Sequence, residues 1–138
     1  MYATQQDLID LFGETEVLQL ADRDGVGAAD PKVLTRALTD AGAAIDGYLA
    51  SRYRLPLATV PAALVRVTCD LARYYLCVAP EDTVKDRYTA AVRFLQAVAK
   101  GEVNLGPTVD GSAPPVSDGA LMTSGGRIWD RDQAKGFV

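Results

Sequence analysis

The sequence predicts an all-α fold: a small helical bundle of three longer helices plus short N-terminal helices, with an extended, flexible C-terminal tail. Apolar residues recur at steps of three and four, and strand-like alternation is weak. Residues 1–100 hold five Gly and four Pro, whereas residues 101–138 hold seven Gly and three Pro. This shift predicts a helical domain at 1–105 and a Gly/Pro-rich C-terminal arm at 106–138.

Two short helices are predicted at the N-terminus. Thr4 is suited to the N-cap of the first helix, and Gly13 is suited to the position just after its end. The apolar stripe between them consists of Leu8, Ile9, Leu11 and Phe12. A second short helix is predicted around residues 13–22.

The third helix has the clearest start signal in the chain. Asp30 is an N-cap residue, and Pro31 follows at the one helical position where a missing N–H costs nothing. The apolar stripe consists of Leu34, Leu38, Ala41, Ile45, Tyr48 and Leu49. The helix is predicted to run to about Tyr53 and to be ended by Pro56. Its interior glycines, Gly42 and Gly47, predict a close helix crossing.

Two further helices follow. Pro61 opens the fourth helix and Pro80 terminates it, with a stripe of Leu64, Val67, Leu71, Tyr75 and Val78. The fifth begins near Glu81 and Asp82, which suit the positive end of a helix, and closes before Gly101. Its stripe consists of Val84, Tyr88, Ala91, Leu95 and Val98.

Composition argues against several classes of function. A formal net charge of −4 is unlike the basic surface of a nucleic-acid-binding protein, so we expect no sequence-specific nucleic-acid partner. Histidine is absent, which removes the commonest general base and metal ligand.

Cys69 and Cys77 lie about 12 Å apart along one predicted helix, too far for a disulfide. No signal peptide or long apolar run is present, so we expect a cytoplasmic protein with no membrane partner.

A metal site is the first alternative to a purely structural protein. Asp22, Asp24 and Asp30 overlay positions one, three and nine of a calcium-binding loop. Val26 and Val33 stand at positions five and twelve, where that loop needs side-chain ligands. The segment is therefore interpreted as a glycine-containing turn with an N-cap, and a weak divalent-metal site stays as the alternative.

The second candidate is a set of charges near the apolar stripes. Its members are Asp46, Arg52, Arg54, Asp70 and Arg73. Acid–base chemistry would need a nucleophile, a histidine or a phosphate-binding loop beside them, and the sequence supplies none. We predict instead an interhelical salt-bridge network, with Asp70 and Arg73 three residues apart on one helix face. We therefore expect that the protein is not an enzyme and that it needs no cofactor.

The arm carries the third candidate site. Ile128, Trp129 and Phe137 are bulky apolar residues in a Gly-rich segment, and Arg127 and Arg131 flank the tryptophan. The domain's own core does not explain an isolated tryptophan of this kind. We predict that these five residues form an anchor for a protein partner, and that the arm becomes ordered only on binding.

Four segments resemble one known family in the same order along the chain. They are IDGYLASRYRLPL (45–57), VPAALVRVTCDLARYYL (60–76), RYTAAVRFLQAVAKGEVNLG (87–106) and GRIWDRDQAKGF (126–137). The chain is similar there to the small neck proteins of Mu-like phages and prophages, which are thought to be head–tail connector, or adaptor, proteins.

The resemblance implies a structural subunit that forms a ring below the portal in the virion neck, after assembly in the host cytoplasm. Its implied partners are the portal protein, neck and tail-completion proteins and further copies of itself. The alternative readings are a small helical regulatory module and a divalent-metal-binding protein that uses residues 22–30.

Overall fold

The computed structural model describes residues 1–106, and over this range the protein is all-α, as predicted. The helices are α1 (Gln5–Phe12), α2 (Glu14–Ala21), α3 (Pro31–Leu49), α4 (Ala62–Leu76) and α5 (Asp82–Ala99). Except for Gly106, the predicted arm lies outside the described range, and so do all of its anchor residues. None of these five helices is long and apolar enough to cross a membrane.

The predicted start signals of α1 and α3 are confirmed. The Asp7 amide donates to Thr4 Oγ1 at 3.2 Å and the Thr4 amide donates to Asp7 Oδ2 at 2.8 Å, which is a reciprocal capping box. At α3, the Asp30 carboxylate accepts the Lys32 amide at 2.9 Å, and Pro31 occupies the first turn. Each cap satisfies backbone donors that the helix itself leaves unpaired.

Helix α3 ends four residues earlier than the sequence predicted. The Leu49 carbonyl accepts both the Arg52 amide at 3.0 Å and the Tyr53 amide at 2.9 Å. The hydrogen bond to the Arg52 amide spans three residues, as in a 3₁₀-helix, and so tightens the last turn of α3. The chain then reverses direction toward α4. Tyr53 is nevertheless buried, at 2% exposure, so the turn residues complete the core.

The close helix crossing predicted from two glycines of α3 is wrong. A Cβ added to Gly42 would meet the Tyr2 ring at 3.7 Å, an ordinary contact. A Cβ added to Gly47 would meet nothing within 4 Å. Gly42 therefore faces the N-terminal segment, and Gly47 faces open space.

Helix α4 is the centre of the fold. Six successive residues, Val67 to Ala72, are buried, so this stretch is enclosed on all sides. Helix α4 packs against α1, α2, α3 and α5, whereas α1 and α2 do not pack against α5 within the described range. The α3–α4 pair thus has α5 on one face and the short helices on the other. The buried Thr68 hydroxyl is satisfied by donating to the Leu64 carbonyl at 2.6 Å.

The C-terminal end of α4 corrects the predicted stripe. The helix stops at Leu76, because Cys77 is extended and leads into the short connection to α5. Tyr75 is 39% exposed and Val78 is 92% exposed, so neither belongs to the core. Both residues keep the three-residue spacing of the predicted stripe, but Leu76, between them, is the buried residue at this end of the helix.

The chain returns to the α3–α4 turn after α5. Gly101 has a φ of +84°, which ends the helix. Val103 and Leu105 then pack against the core. The Leu105 amide donates to the Tyr53 hydroxyl at 3.0 Å. The last described residues are therefore attached beside the turn that follows α3.

Candidate functional site

A groove of about 540 Å³ lies on one side of α3. Its walls come from three parts of the chain: the N-terminal segment, the exposed face of α3 and the loop that precedes α4. The lining residues are Met1, Tyr2, Leu38, Thr39, Gly42, Ala43, Asp46, Leu55, Pro56, Leu57 and Val60. Its volume, and its combination of apolar side chains with polar groups, are typical of a binding site, here one open to solvent.

Tyr2 and Asp46 hold the N-terminal wall of this groove in place. The Tyr2 hydroxyl donates a hydrogen bond to Asp46 Oδ1. Burial raises the pKa of Tyr2 far above its usual value, and the hydrogen bond to Asp46 and that residue's negative charge raise it further. The hydroxyl therefore keeps its proton and remains a donor, while the exposed Asp46 places a carboxylate at the groove.

A second feature is the contact of Arg73 with two of the N-terminal helices. Its guanidinium donates through both Nε and Nη2 to the Glu16 carboxylate, the Nη2 contact measuring 3.0 Å. The Arg73 Cζ atom also lies 4.6 Å from the centre of the Phe12 ring. One side chain of α4 thus binds α2 through a bidentate ion pair and α1 through a cation–π contact.

Asp70 is the most buried carboxylate among the described salt bridges. Its Oδ2 atom is 3.5 Å from Arg66 Nε, and its Oδ1 atom is 3.6 Å from Arg87 Nε. The Arg87 contact is too long for a hydrogen bond, so Oδ1 is buried without one. Burial raises the pKa of Asp70, and the nearby Arg66 and Arg73 oppose that rise.

The charges predicted to form one network take different partners. Asp70 pairs with Arg66 and Arg87 rather than with Arg73, which is drawn to Glu16 by a better, bidentate geometry. The remaining three members are separate again. Asp46 bonds to Tyr2, and the Arg52 guanidinium lies against Gly101 at the end of α5, while Arg54 is exposed. The expectation of a single network is corrected to a set of local contacts.

The acidic loop between α2 and α3 binds its own backbone. Asp22 Oδ1 accepts the Val26 amide at 2.9 Å, and Oδ2 accepts the Gly27 amide at 2.8 Å. Asp30 caps α3, and Asp24 is exposed. Within residues 1–106, no group of three or more His, Cys, Asp or Glu side chains is arranged to hold a metal. The geometry thus favours the turn interpretation.

The two cysteines are free thiols in different surroundings. Cys69 is buried, and burial raises its pKa to about 12, with smaller contributions from Asp7 and Asp70. Burial also raises the pKa of Cys77. A thiol acts as a nucleophile in its deprotonated form, so these surroundings work against that role.

An aromatic cluster lies where α4 meets the start of α5. The Tyr74 and Tyr88 rings are stacked with centres 4.0 Å apart, and Tyr75 meets Tyr88 edge-on at 6.3 Å. Tyr75 is partly exposed. Half-exposed tyrosines of this kind are enriched at protein interfaces, so the cluster is a second candidate contact surface.

Sequence reasoning missed most of the groove. Tyr2 and the loop residues Leu55, Leu57 and Val60 belong to no periodic helix, and they meet α3 only in the folded chain. The available signal was a set of apolar residues around Pro56 in an otherwise turn-like segment. The predicted anchor residues of the arm lie beyond the part of the chain that the structure describes.

Comparison with known proteins identifies the family. The family described as Bacteriophage Mu, Gp36 matches residues 2–124. The Mu-like prophage FluMu protein gp36 of Haemophilus influenzae is 37% identical over 139 residues, which covers 100% of this chain and 99% of that protein. Gene product J of Escherichia phage Mu is 34% identical over 140 residues, with 99% of each chain covered. The chain belongs to the Bacteriophage Mu Gp36 family.

Proposed function

We propose that the protein is a structural head–tail connector, or adaptor, subunit of a Mu-like phage or prophage. In this proposal it forms a ring below the portal and presents a surface to neck and tail-completion proteins. The proposal depends on one observation. The helical domain extends to Leu105, which is hydrogen-bonded to Tyr53, and the sequence that follows it is rich in Gly and Pro and contains a few bulky apolar residues. A ring subunit needs both parts: a fixed body and an extended segment that reaches its neighbours.

The described side chains support a non-enzymatic role. Asp22 and Asp30 accept backbone amides, Asp70 is ion-paired, and the pKa of each cysteine is raised. These groups stabilise turns, helix ends and helix contacts. An active site would instead bring a nucleophile and a base together in one cleft.

The alternative of a helical regulatory module loses support from the position of α4. That helix is enclosed by the others, and its Arg66 and Arg73 pair with Asp70 and Glu16. A recognition helix must lie in a groove of DNA with its side chains free to reach the bases. The packing of α4 against the other four helices and the pairing of its arginines therefore favour a structural role for this helix.

The arm supplies the proposed contact with partners. Trp129 and its apolar neighbours are costly to leave in water, since burial of a large side chain is worth about 1.5–3 kcal/mol. The intervening Gly/Pro-rich stretch offers little apolar surface to offset the cost of ordering its backbone. We propose that the anchor residues bind a neighbouring subunit or the portal in the virion neck, after assembly in the host cytoplasm.

Deletion of residues 120–138 tests this function. We expect the helical circular-dichroism signal and melting temperature to stay close to those of the full chain, because the deleted residues come after Leu105, the last residue of the described range that packs against the core. Incorporation into phage particles should be lost, because the anchor is gone. Trp129→Ala should reduce incorporation as well, and Gln133→Ala in the same arm is the matched control. Normal yields of infective particles from the deletion variant would refute the proposal.

A further inference from the structure

The groove on α3 has the features of a receptor for an apolar segment. Leu55, Leu57 and Val60 are only partly buried, and Met1 is 73% exposed at the edge. Ala43 is exposed in the middle of the α3 wall. These apolar groups surround an open space rather than filling it. A segment with bulky side chains would complete the packing.

The chemistry of the arm matches that of the groove. Ile128 and Trp129 would supply the apolar contacts, and arginines stand at positions 127 and 131 on either side. The groove carries one carboxylate, Asp46, held in place by Tyr2. A guanidinium beside that carboxylate would form a charge-assisted contact. The aromatic and basic character of the segment is thus complementary to the apolar and acidic character of the groove.

The described chain ends close to the wall of this groove. The Leu105 amide binds the hydroxyl of Tyr53, and the loop wall begins two residues later at Leu55. Residues 107–125 separate this exit point from the predicted anchor, and they can span at most about 60–70 Å when extended. A small domain is about 30 Å across, so a linker of this length can reach a groove on an adjacent copy.

We propose that the groove of one copy receives residues 126–137 of a second copy, with Trp129 against the apolar wall and an arginine beside Asp46. The proposal rests on the ring assembly proposed above. Groove and arm are different surfaces of one chain, so their pairing is head-to-tail, and such pairing generates rings when it closes. Each subunit then gives one arm and receives one.

Two complementary variants test the exchange, because Trp129 is the single tryptophan of the chain. Ala43→Arg blocks the groove and keeps the tryptophan, and Trp129→Ser keeps an open groove without fluorescence from tryptophan. Titration of Trp129→Ser protein into Ala43→Arg protein should shift the tryptophan emission to shorter wavelength and reduce its quenching by acrylamide. The change should saturate, since each blocked subunit has one arm to offer.

Two controls isolate the groove. The double variant Ala43→Arg/Trp129→Ser has no open groove and should produce no shift. Ala90→Arg/Trp129→Ser carries its arginine on an exposed alanine of α5, away from the groove, and should act like Trp129→Ser alone. Melting curves check that each variant is folded. If Ala43→Arg is not folded, Thr39→Arg on the same wall replaces it.

Two results would overturn the exchange. One is an emission spectrum that does not change on titration. The other is a buried tryptophan in dilute wild-type protein that Ala43→Arg alone exposes, which would place the arm in its own groove. This assay is independent of particle assembly. If the emission does not shift but deletion of residues 120–138 abolishes incorporation, the exchange is rejected and the connector function is kept. If the emission shifts but the deletion variant is incorporated normally, only the connector function is rejected.

Discussion

The guanidinium of Arg73 connects three helices through two kinds of contact. It pairs with Glu16 of α2 and lies over the Phe12 ring of α1. Its side chain is only 19% exposed, and that of Glu16 is 33% exposed, so water screens the pair less than it screens a surface pair. The Arg36–Asp40 pair on α3 is the opposite case, with side chains 81% and 52% exposed.

Removal of the Arg73 side chain should therefore destabilise the domain more than removal of a surface charge. We expect Arg73→Ala to lower the free energy of unfolding by about 1–3 kcal/mol, since hydrogen bonds to charged groups are lost in a partly buried site. Arg36→Ala should change it by less than about 0.5 kcal/mol. Urea unfolding followed by circular dichroism measures both values, and equal effects would contradict the role given to Arg73.

Asp70 should make stability depend on pH in a direction set by its burial. Burial raises its pKa in the folded protein above the value of 3.8 expected in the unfolded chain. The folded state therefore binds this proton more tightly than the unfolded chain does, and the bound proton contributes to the free energy of unfolding. That contribution is fully present below about pH 4 and is lost as the pH rises through the pKa of the folded state. Asp70→Asn has no such proton to lose.

We expect the stability of Asp70→Asn relative to wild type to increase from about pH 4 to about pH 7. Arg66 and Arg87 lose a partner in the variant, but both side chains are close to half exposed and remain solvated. Urea unfolding at a series of pH values gives the two curves. A stability difference that is constant or that shrinks with rising pH would show that burial of the carboxylate is not the dominant effect.

At the scale of elements, helix starts were predictable and helix ends were less so. A start depends on a side chain within the same few residues, as at Thr4 and Asp30, so the sequence carries the signal locally. The ends of α3 and α4 depend on where the core stops and on how the chain must turn to reach the next helix. Leu49 and Leu76 end these helices although the apolar period continues past both.

Two glycines in different settings give opposite expectations for the same substitution. Gly101→Ala should cost about 1–2 kcal/mol, because φ is +84° and the new Cβ would lie 3.0 Å from Arg52 Nη1. Gly47→Ala should stabilise the domain by about 0.5–1 kcal/mol, because it lies within α3 with no neighbour within 4 Å. Thermal unfolding of the two variants gives the comparison, and a gain in stability from Gly101→Ala would contradict it.

The groove and the ion pairs show where sequence reasoning stops. The sequence predicted that Asp70 and Arg73 have a structural role and that they lie near each other, because they are three residues apart on one helix. It could not predict that Glu16 and Arg87 approach that helix from two other elements, because the choice of partner depends on helix packing. The groove has the same origin, since its walls are distant in sequence and come together only in the fold.

At the scale of the whole molecule, the central position of α4 leads us to expect that residues 1–105 unfold as one cooperative unit. Each of the other four helices packs against it, and the buried apolar residues of the described range, apart from Val84, form one continuous core. That core includes Leu8 near the N-terminus and Val98 near the end of α5. No helix can separate without exposing part of the surface that it shares with α4.

Limited proteolysis should reveal the boundary of this unit. We expect a resistant fragment of about residues 1–105, because Leu105 is the last residue packed against the described core and the following sequence is rich in Gly and Pro. Mass spectrometry of the fragment locates the cut. Early cleavage between residues 62 and 98 would contradict the bundle, since α4 and α5 lie there.

The attachment of Leu105 to Tyr53 also determines how the domain carries mechanical load. Tension applied to the chain at Gly106, the last described residue, would act directly on the neighbouring Leu105–Tyr53 hydrogen bond. Tyr53 is buried in the turn between α3 and α4, so the force passes to the two helices at the centre of the fold rather than to α5 alone. Subunits linked by their arms would then resist tension through the most deeply packed part of each one.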